Sequence, residues 1–513
     1  MTTSHWHSLE PEAQRRLQLA KLRSFLRDQV VPYHPFYREL FANQGIDPAA
    51  FGSLADFARV PLSHKGDVAP TDDDPQRPRH FVLQPTPESL RAHLPLGRKL
   101  ELLWSKWRHG AAHVKQQIGA EYRPVQAFFT TGRTALPTSF FLSGYDMELL
   151  RLVGRRIAEV ATVDPAEDRI LSVFPYAPHL AFWQVQEVGI GSGTFILQTG
   201  GGKVMGTPAI LRALSKVRPS IVAGIPGYVY HMFREGAEQG IDLSCVRRVF
   251  LGGDRVAPGY RAKLIDLLKE SGASDPKVLS VYGFTESRKC WSECPGGEEF
   301  GFHTYPDLDL FEVIDPDTGE VLPDGETGEL VYTPLDGRAS IVLRYRTGDI
   351  CEGGITRERC PGCGRTVPRF SSNLSRQSNQ KDFELTKIKG ALVNLNALGD
   401  LLNGESTIEE WQIIIRKRND DPFDTDEMVV VVAMRNEVDL EPDEVQTIVA
   451  ALQRKVEAGC EIRPAVEVVS RADLLERLGM ETQLKELRVV DLRHNAGGPR
   501  ESEVVKADSQ SGA

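Results

Sequence analysis

Short apolar runs alternate with amphipathic helical segments between about Val125 and Glu286. The predicted strands are VQAFFTT, RILSVFPY, GTFILQTG, PSIVAGIP, VRRVFLGGD and KVLSVYGFTE. The predicted helices between them are TPAILRALSKV, YVYHMFREGAEQG and APGYRAKLIDLLKESG. This alternation predicts an α/β fold with a mostly parallel sheet covered by helices. Ligands of such sheets bind beyond the carboxyl ends of the strands, where TTGRT, GGD and YGFTE fall.

The rest of the sequence predicts a β-rich subdomain, a linker and a second, smaller domain. The stretch FEVIDPDTGEVLPDGETGELVYTPL has Asp-Pro, Thr-Gly and Asp-Gly pairs that favour tight turns, so it predicts a β-rich subdomain. The polar run SSNLSRQSNQKD, residues 371–382, is a linker or hinge candidate. We therefore expect a large N-terminal domain over residues 1–375, a small α+β domain over 383–494 and a disordered tail over 495–513.

Charge and composition limit the expected partners and location. The 513 residues carry a net charge of −10, which disfavours nucleic acid and anionic membranes as general partners but leaves local basic patches open. The N-terminal stretch MTTSHWHSLEPEAQRRL lacks the apolar segment of a signal peptide. Seven unevenly spaced cysteines argue against a disulfide framework. We expect a cytoplasmic protein that binds neither nucleic acid nor membrane, and a homodimer remains open.

The loop in FFTTGRTALPTSFF, residues 128–141, has two interpretations. Its hydroxyls and backbone N–H groups could hold an anion, and Arg133 could add a positive charge. It lacks the Gly-Lys-Ser/Thr ending of a P-loop, however. Taken alone, the loop is better explained as a polar turn between two strands.

The order of the motifs along the chain is more specific than any one of them. TTGRTALPT, FPYAPHLAFW, FLGGDRV, VYGFTES, ETGELVYT, LRYRTGDI, KIKGALVNL and KELRVVDLR resemble, in that order, the motifs of the adenylate-forming enzymes. PFYRELFANQGI and FGSLADFARVPLSHKGDV are similar to the N-terminal signature of the phenylacetate–coenzyme A ligase branch. The resemblance covers about Leu22 to Arg493. It implies ATP-dependent activation of a carboxylic acid as an acyl-adenylate, transfer to coenzyme A, and a mobile C-terminal domain.

The resemblance also implies roles for single residues. Glu286 would hold Mg²⁺ on the ATP phosphates, Tyr282 would lie along the adenine and Thr285 would contact phosphate. Asp349 would accept hydrogen bonds from the ribose hydroxyls. The alternatives are a solvated loop carboxylate for Glu286 and a turn aspartate for Asp349. The other implied nucleotide-binding residues are Thr130, Thr131, Gly132, Thr134, Gly252, Gly253, Asp254, Gly283 and Arg376.

Two positions of the loop at residues 130–138 depart from the family's phosphate loop. Arg133 replaces a threonine and Ala135 replaces a glycine, so we interpret the segment as a modified phosphate loop with Arg133 as a catalytic candidate. His179 matches a position near the substrate carboxylate, and a packed histidine is the alternative.

The C-terminal motifs imply three further residues. Lys485 matches the lysine that completes adenylation, where an ammonium group offsets negative charge in the transition state. A solvated surface lysine is the alternative. Lys389 and Gly390 match the segment that faces coenzyme A.

A metal site is suggested by the cysteines. Cys360 and Cys363 form a C-x₂-C turn suited to tetrahedral zinc. Cys294 and His303 are the expected remaining ligands, since the branch often has Cys and His there, and Cys290 is a reserve. Four protein ligands would close the site and make the zinc structural. A redox dithiol and plain turn cysteines are the alternatives.

The acid is expected to be aromatic, because many aromatic residues flank the motifs. They are Phe140, Phe141, Tyr176, Phe182, Trp183, Phe284 and Trp291. Two alternatives to a coenzyme A ligase remain. One is an adenylate-forming enzyme with an amine, a carrier-protein thiol or another small nucleophile as acceptor, suggested by the altered loop and hinge. The other is a non-catalytic nucleotide- or acyl-binding protein on the same scaffold.

Overall fold

The computed structural model divides the chain into two compact units, Met1–Asn379 and Gln380–Ala513. The division lies within the polar run 371–382, whose role as a hinge stays a prediction. The residues that the structure describes are 6–130, 138–296, 301–376, 386–388, 391–393, 395–418, 426–435, 441–460, 462–480, 482 and 486–492. The predicted tail from residue 495 lies outside them.

The N-terminal part of the first unit is helical. Helices begin where proline can occupy the first turn without losing a hydrogen bond, as at Pro11 and Pro35. The third helix ends at Gly45, whose φ of 62° favours glycine. The helices are α1 (Pro11–Phe25), α2 (Val31–Tyr33), α3 (Pro35–Gln44), α4 (Lys65–Val68), α5 (Pro87–His93), α6 (Leu96–His109) and α7 (Ala111–Tyr122).

A six-stranded sheet forms the centre of this unit. The hairpin strands β1 (Pro124–Phe129) and β2 (Ser139–Ser143) come before it in the chain. The strands of the sheet are β3 (Arg169–Ser172), β4 (Phe195–Gln198), β5 (Ile221–Gly224), β6 (Arg248–Gly252), β7 (Lys277–Phe284) and β8 (Lys289–Ser292). The order is β4-β3-β5-β6-β7-β8, and all neighbours are parallel except β7 and β8. All four residues of β5 are buried, as expected for a strand covered on both faces.

Helices alternate with these strands as predicted. They are α8 (Gly144–Val160), α9 (Leu180–Ser192), α10 (Gly202–Met205), α11 (Thr207–Val217), α12 (Pro226–Glu238) and α13 (Pro258–Glu270). Helix α8 begins at a capping box, in which the Ser143 hydroxyl accepts from the Asp146 N–H group and the Asp146 carboxylate accepts from the Ser143 N–H group.

The placement of the first predicted strand in the parallel sheet is wrong. Strand β1 pairs antiparallel with β2, and the two form a separate sheet. The apolar run predicts a strand but not its partner, and the nearest partner is the apolar run just beyond the loop. The TTGRT loop therefore connects two antiparallel strands.

The β-rich part is antiparallel, as its turn signals predict. Its strands are β9 (Phe302–His303), β10 (Asp309–Ile314), β11 (Gly328–Pro334), β12 (Tyr345–Cys351), β13 (Ile355–Thr356), β14 (Arg369–Phe370) and β15 (Leu374–Arg376). They form the sheets β10-β11-β12-β15 and β13-β14-β9. At the predicted Asp-Pro turn, Asp315 Oδ1 accepts from the N–H groups of Asp317 and Thr318 at 2.9 and 2.8 Å.

The second unit is a small α+β domain. Its elements are β16 (Thr386–Ile388), β17 (Ala391–Val393), α14 (Leu395–Asn403), β18 (Ile408–Lys417), β19 (Asp426–Met434), α15 (Pro442–Cys460), β20 (Ala465–Val468), α16 (Arg471–Leu478) and β21 (Val489–Asp491). The main sheet has the order β20-β19-β18-β21. Its core includes Leu398, Trp411 and Val456. Among all described residues, no helix has the length and apolar character that crossing a bilayer requires.

Candidate functional site

Two residues implied to bind the nucleotide are in direct contact. The hydroxyl of Tyr282, on β7, donates to Asp349 Oδ2, on β12, at 2.6 Å. Asp349 is only 5% exposed. A carboxylate can accept several hydrogen bonds, so Asp349 can receive other donors beside Tyr282. The contact joins the VYGFTES and YRTGD motifs at the carboxyl end of β7.

Glu286 lies in the tight turn between β7 and β8, where Phe284 pairs with Lys289. The buried Ser287 hydroxyl donates to the Phe284 carbonyl at 2.7 Å and stabilises the turn. The hydroxyl of Tyr345 donates to Glu286 Oε1 at 2.9 Å. Because Tyr345 is 3% exposed, it holds the half-buried carboxylate from a rigid position.

Tyr345 was not predicted as a site residue, although its place in the sequence gave a signal. Tyr345 precedes Asp349 by only four residues on the same strand, β12. A tyrosine so near the predicted ribose-binding aspartate in the chain was therefore a candidate neighbour of the site.

The glycines near the site have packing roles. A Cβ atom on Gly252 would lie 3.0 Å from the Val281 carbonyl oxygen, and one on Gly283 would lie 2.4 Å from Cys290 Sγ. Gly253 has a φ of 87°, which favours glycine. Asp254 is exposed, and its Oδ1 accepts from the backbone N–H group of Arg255 at 2.8 Å.

The ends of the TTGRT loop are described and its middle is not. The Thr130 N–H group donates to the Thr138 carbonyl at 3.0 Å, and the Thr138 N–H group donates to Thr130 Oγ1 at 3.1 Å. These bonds close the base of the loop. The predicted phosphate-loop residues between them, Thr131, Gly132, Arg133, Thr134 and Ala135, lie outside the described residues.

His179 lies beside the start of this loop. Its Nδ1 is 2.8 Å from the carbonyl oxygen of Phe129, the last residue of β1. A carbonyl oxygen can only accept, so Nδ1 carries the proton and Nε2 of the neutral ring can accept a hydrogen bond. The ring orientation is thus set by the backbone.

The predicted phosphate-contacting arginine lies on a strand that pairs with the strand of Asp349. Arg376, the last residue of β15, pairs with Asp349 of β12. Thr285 lies in the same turn as Glu286. The other predicted residues, Lys389, Gly390 and Lys485, lie outside the described part of the chain.

The comparisons with known proteins agree with this geometry. Residues 84–334, which include β1 to β11, match the family described as AMP-binding enzyme. The phenylacetate–coenzyme A ligase of Thermus thermophilus is 27% identical over 433 residues, and the match covers 80% of each chain. That of Pseudomonas putida is 25% identical over 378 residues, with 72% of each chain covered.

The chain belongs to the adenylate-forming enzymes. Within them it lies in the phenylacetate–coenzyme A ligase-like branch. The structure of a 2-hydroxyisobutyryl-CoA ligase in the postadenylation state has the same fold, with a TM-score of 0.72 and 20% identity. That likeness covers 95% of this chain and 91% of the other.

The aromatic residues of this adenylate-forming enzyme fall into two groups. Phe140, Phe284 and Trp291 are at most 8% exposed and belong to the core, so their presence beside the motifs says nothing about the acid. Tyr176 is 63% exposed, and its ring lies 5.3 Å from Phe182, which in turn lies 5.4 Å from Trp183. Phe141 is half-buried, so among the predicted aromatic residues the most exposed ring is that of Tyr176 in the second group, near His179 in the chain.

Four potential metal ligands converge elsewhere in the first unit. The ligand atoms of Cys294, His303, Cys360 and Cys363 all lie within 4.8 Å of one another. Cys294 Sγ is 3.8 Å from Cys360 Sγ, and Cys363 Sγ is 3.2 Å from His303 Nε2. Tetrahedral zinc–ligand bonds of about 2.0–2.3 Å give ligand separations of roughly 3.5–3.8 Å. The cluster therefore fits a zinc ion, and Cys290 is not part of it.

The short sheet β13-β14-β9 assembles this cluster. His303 pairs with Arg369, and the C-x₂-C turn lies in the connection between β13 and β14. The loops approach so closely that a Cβ atom on Gly296 would lie 2.4 Å from Gly362. Glycine at position 296 thus permits Cys294 to meet the turn.

The cluster favours the thiolate form of Cys360 and Cys363, whereas the pKa of Cys294 is raised because its thiol donates a hydrogen bond to Cys363. The hydrogen bond between Cys363 and Cys294 lowers the pKa of Cys363 to about 2, although burial of the Cys363 thiol raises it. Burial has the largest influence on the pKa of His303 and lowers it, yet contacts with Cys360 and Cys363 raise the pKa above its usual value. Thiolates are the form in which cysteine binds metal, so the site suits a divalent cation.

Proposed function

We propose that this enzyme uses ATP to activate a carboxylic acid as an acyl-adenylate and then transfers the acyl group to coenzyme A. The observation that carries the proposal is a pair of hydrogen bonds, one from Tyr282 to Asp349 and one from Tyr345 to Glu286. Asp349 and Glu286 thus both contact a tyrosine near the carboxyl end of β7, which supports the proposal that Asp349 accepts from ribose hydroxyls and Glu286 binds a cation. The names of the curated relatives support the same reaction.

In this proposal the nucleotide lies along the ends of β6, β7 and β12. Asp349 accepts from the ribose hydroxyls, and Tyr282 lies along the adenine next to the Gly252–Asp254 loop. Thr285 and Arg376 contact the phosphates. Glu286 holds Mg²⁺, which when bound neutralises charge on the phosphates.

The acid is proposed to enter beside His179. Nε2 of that ring can accept a hydrogen bond, while the rings of Tyr176, Phe182 and Trp183 offer an apolar surface. Flat aromatic groups pack well against such rings, so an aryl acid is the proposed substrate class.

The chemistry consists of two displacements. A carboxylate oxygen of the acid attacks the α-phosphorus of ATP, and pyrophosphate leaves with the electrons of the broken P–O bond. The thiolate of coenzyme A then attacks the acyl carbon, and AMP leaves. We propose Arg133 and Lys485 as cations for the first step, because positive charge stabilises negative charge that gathers on the phosphates. We propose that Lys389 and Gly390 face coenzyme A in the second.

The Cys/His cluster is proposed to hold one structural zinc ion. The four ligand atoms would fill all positions of a tetrahedron and would leave no open position for a substrate. The ion would tie the segment after β8 to the connection between β13 and β14.

Pyrophosphate release with a panel of aryl and alkyl acids tests the proposed function. We expect release that requires ATP, Mg²⁺ and an aryl acid, and an acyl-CoA product by mass spectrometry. Release with an amide or a carrier-bound thioester as product would support the other acceptor. No release with any acid would support a non-catalytic binding protein.

Asp349→Asn is expected to weaken ATP binding by about 10-fold or more, because hydrogen bonds to a charged group are worth about 1.5–3 kcal/mol. Calorimetric titration with ATP measures the effect. Tyr282→Phe is the matched control, since it removes the contact with Asp349 but keeps both the ring and the carboxylate. Equal ATP affinity of Asp349→Asn and the parent would contradict the ribose role.

A further inference from the structure

Helix α6 exposes an apolar stripe on the side that faces away from α7. The stripe consists of Leu96, Leu100, Leu103, Trp104 and Trp107, which are 57–82% exposed. Their spacing of three or four residues places them on one face of the helix. The opposite face packs on α7, where Ser105 Oγ donates to Gln117 Oε1 at 2.9 Å and Arg98 donates to Glu121 at 2.9 Å.

The stripe is too large to be an ordinary exposed surface. Three leucines and two tryptophans at these exposures offer on the order of 600 Å² of apolar surface, the upper limit for the largest patch of a typical monomer. Each partner of a standard protein interface buries about 800 Å², so the stripe with its polar border has the size of one interface half.

The two edges of the stripe carry different charged residues. At 100° per residue, Lys99 and Lys106 lie along one edge, and Glu101 and Arg108 lie along the other. The second edge therefore carries one negative group, which also pairs with Arg98 of the same helix at 2.7 Å, and one positive group seven residues further along. An edge of this kind is complementary to itself when two copies of the helix run antiparallel.

We propose that α6 is the contact between two copies of this chain in a symmetric dimer. A two-fold axis between Leu103 and Trp104 places Leu100 of each copy against the second copy's Trp107. The same axis brings Glu101 within reach of the second copy's Arg108. The other edge brings lysines together, but such repulsion between long exposed side chains is weak. Burial of the stripe therefore outweighs it.

An anionic lipid surface is the competing occupant, because leucine and tryptophan bordered by basic residues can also lie on a membrane. The net charge of −10 opposes the approach of the whole chain to such a surface. Glu101 also lies on the border of the stripe and would face the lipid headgroups. The observations favour the second copy.

Sedimentation velocity of the full chain over a concentration series tests the dimer. We expect a dimer for the parent and a dissociation constant at least about 30-fold higher for Trp104→Glu, which places two carboxylates near the axis. Phe195→Glu is the matched control, since Phe195 is a 52% exposed aromatic residue on the edge strand β4. It should leave the dimer intact.

A charge exchange tests the antiparallel geometry itself. Glu101→Arg and Arg108→Glu should each weaken the dimer by several-fold, and the double variant should restore it. A monomeric parent at all concentrations would overturn the proposal, as would dissociation by Phe195→Glu but not by Trp104→Glu. Trp104-dependent binding of a monomeric parent to phosphatidylglycerol vesicles would assign the stripe to a membrane instead. None of these results depends on catalysis.

Discussion

Glu286→Gln is expected to reduce acid-dependent pyrophosphate release by roughly 10²- to 10³-fold, the effect of losing one electrostatic partner of the transition state. The substitution keeps the size and shape of the side chain, and an amide oxygen still accepts from the Tyr345 hydroxyl. The turn between β7 and β8 should therefore survive, and the unfolding temperature should stay near that of the parent. Only the negative charge that holds Mg²⁺ is removed.

Tyr345→Phe tests the effect of the position of the Glu286 carboxylate while its charge is kept. This variant keeps the carboxylate but removes the donor that orients it at 2.9 Å. We expect a higher Mg²⁺ concentration for half-maximal activity and a turnover at saturating Mg²⁺ close to that of the parent. Parental activity of Glu286→Gln would contradict the assignment of this carboxylate. An inactive parent would instead contradict the proposed function.

Loss of a zinc ligand is expected to have the largest effect on stability. A closed four-ligand zinc site contributes several kcal/mol to folding. At about 2.1 cal/mol/K per residue, one kcal/mol shifts the unfolding temperature of the first unit, Met1–Asn379, by roughly 1 °C, so Cys363→Ser should lower it by about 5 °C. Elemental analysis should find one zinc ion per parent chain and almost none in the variant.

Two other cysteines provide controls for the metal. Cys290→Ser changes a buried thiol that is outside the cluster, so its zinc content should stay at the parental value even if stability falls. Cys245→Ser changes a half-buried cysteine far along the chain and should alter neither zinc content nor stability. A parent without zinc, or a Cys363→Ser variant that retains it, would contradict the site.

Local features of the fold were predictable because they depend on short windows of sequence. The apolar run of β5 and the spacing of apolar residues in α11 set the element types. The Asp315 turn follows from a side chain that bonds to the next backbone N–H groups. The partner of β1 was not predictable, since an apolar run has the same appearance in a parallel sheet and in a hairpin.

The sequence by itself determined which chemical groups are available, through Glu286, Asp349, His179 and the four Cys/His residues, and in which local turns they lie. Only the tertiary structure decided which of them meet. Tyr282 and Asp349 are 67 residues apart, and Tyr345 and Glu286 are 59 apart. Their contacts depend on the packing of β7 and β12, which belong to different sheets. Local sequence sets backbone conformation and periodicity, whereas packing between sheets reflects the burial of the whole core, which no short window contains.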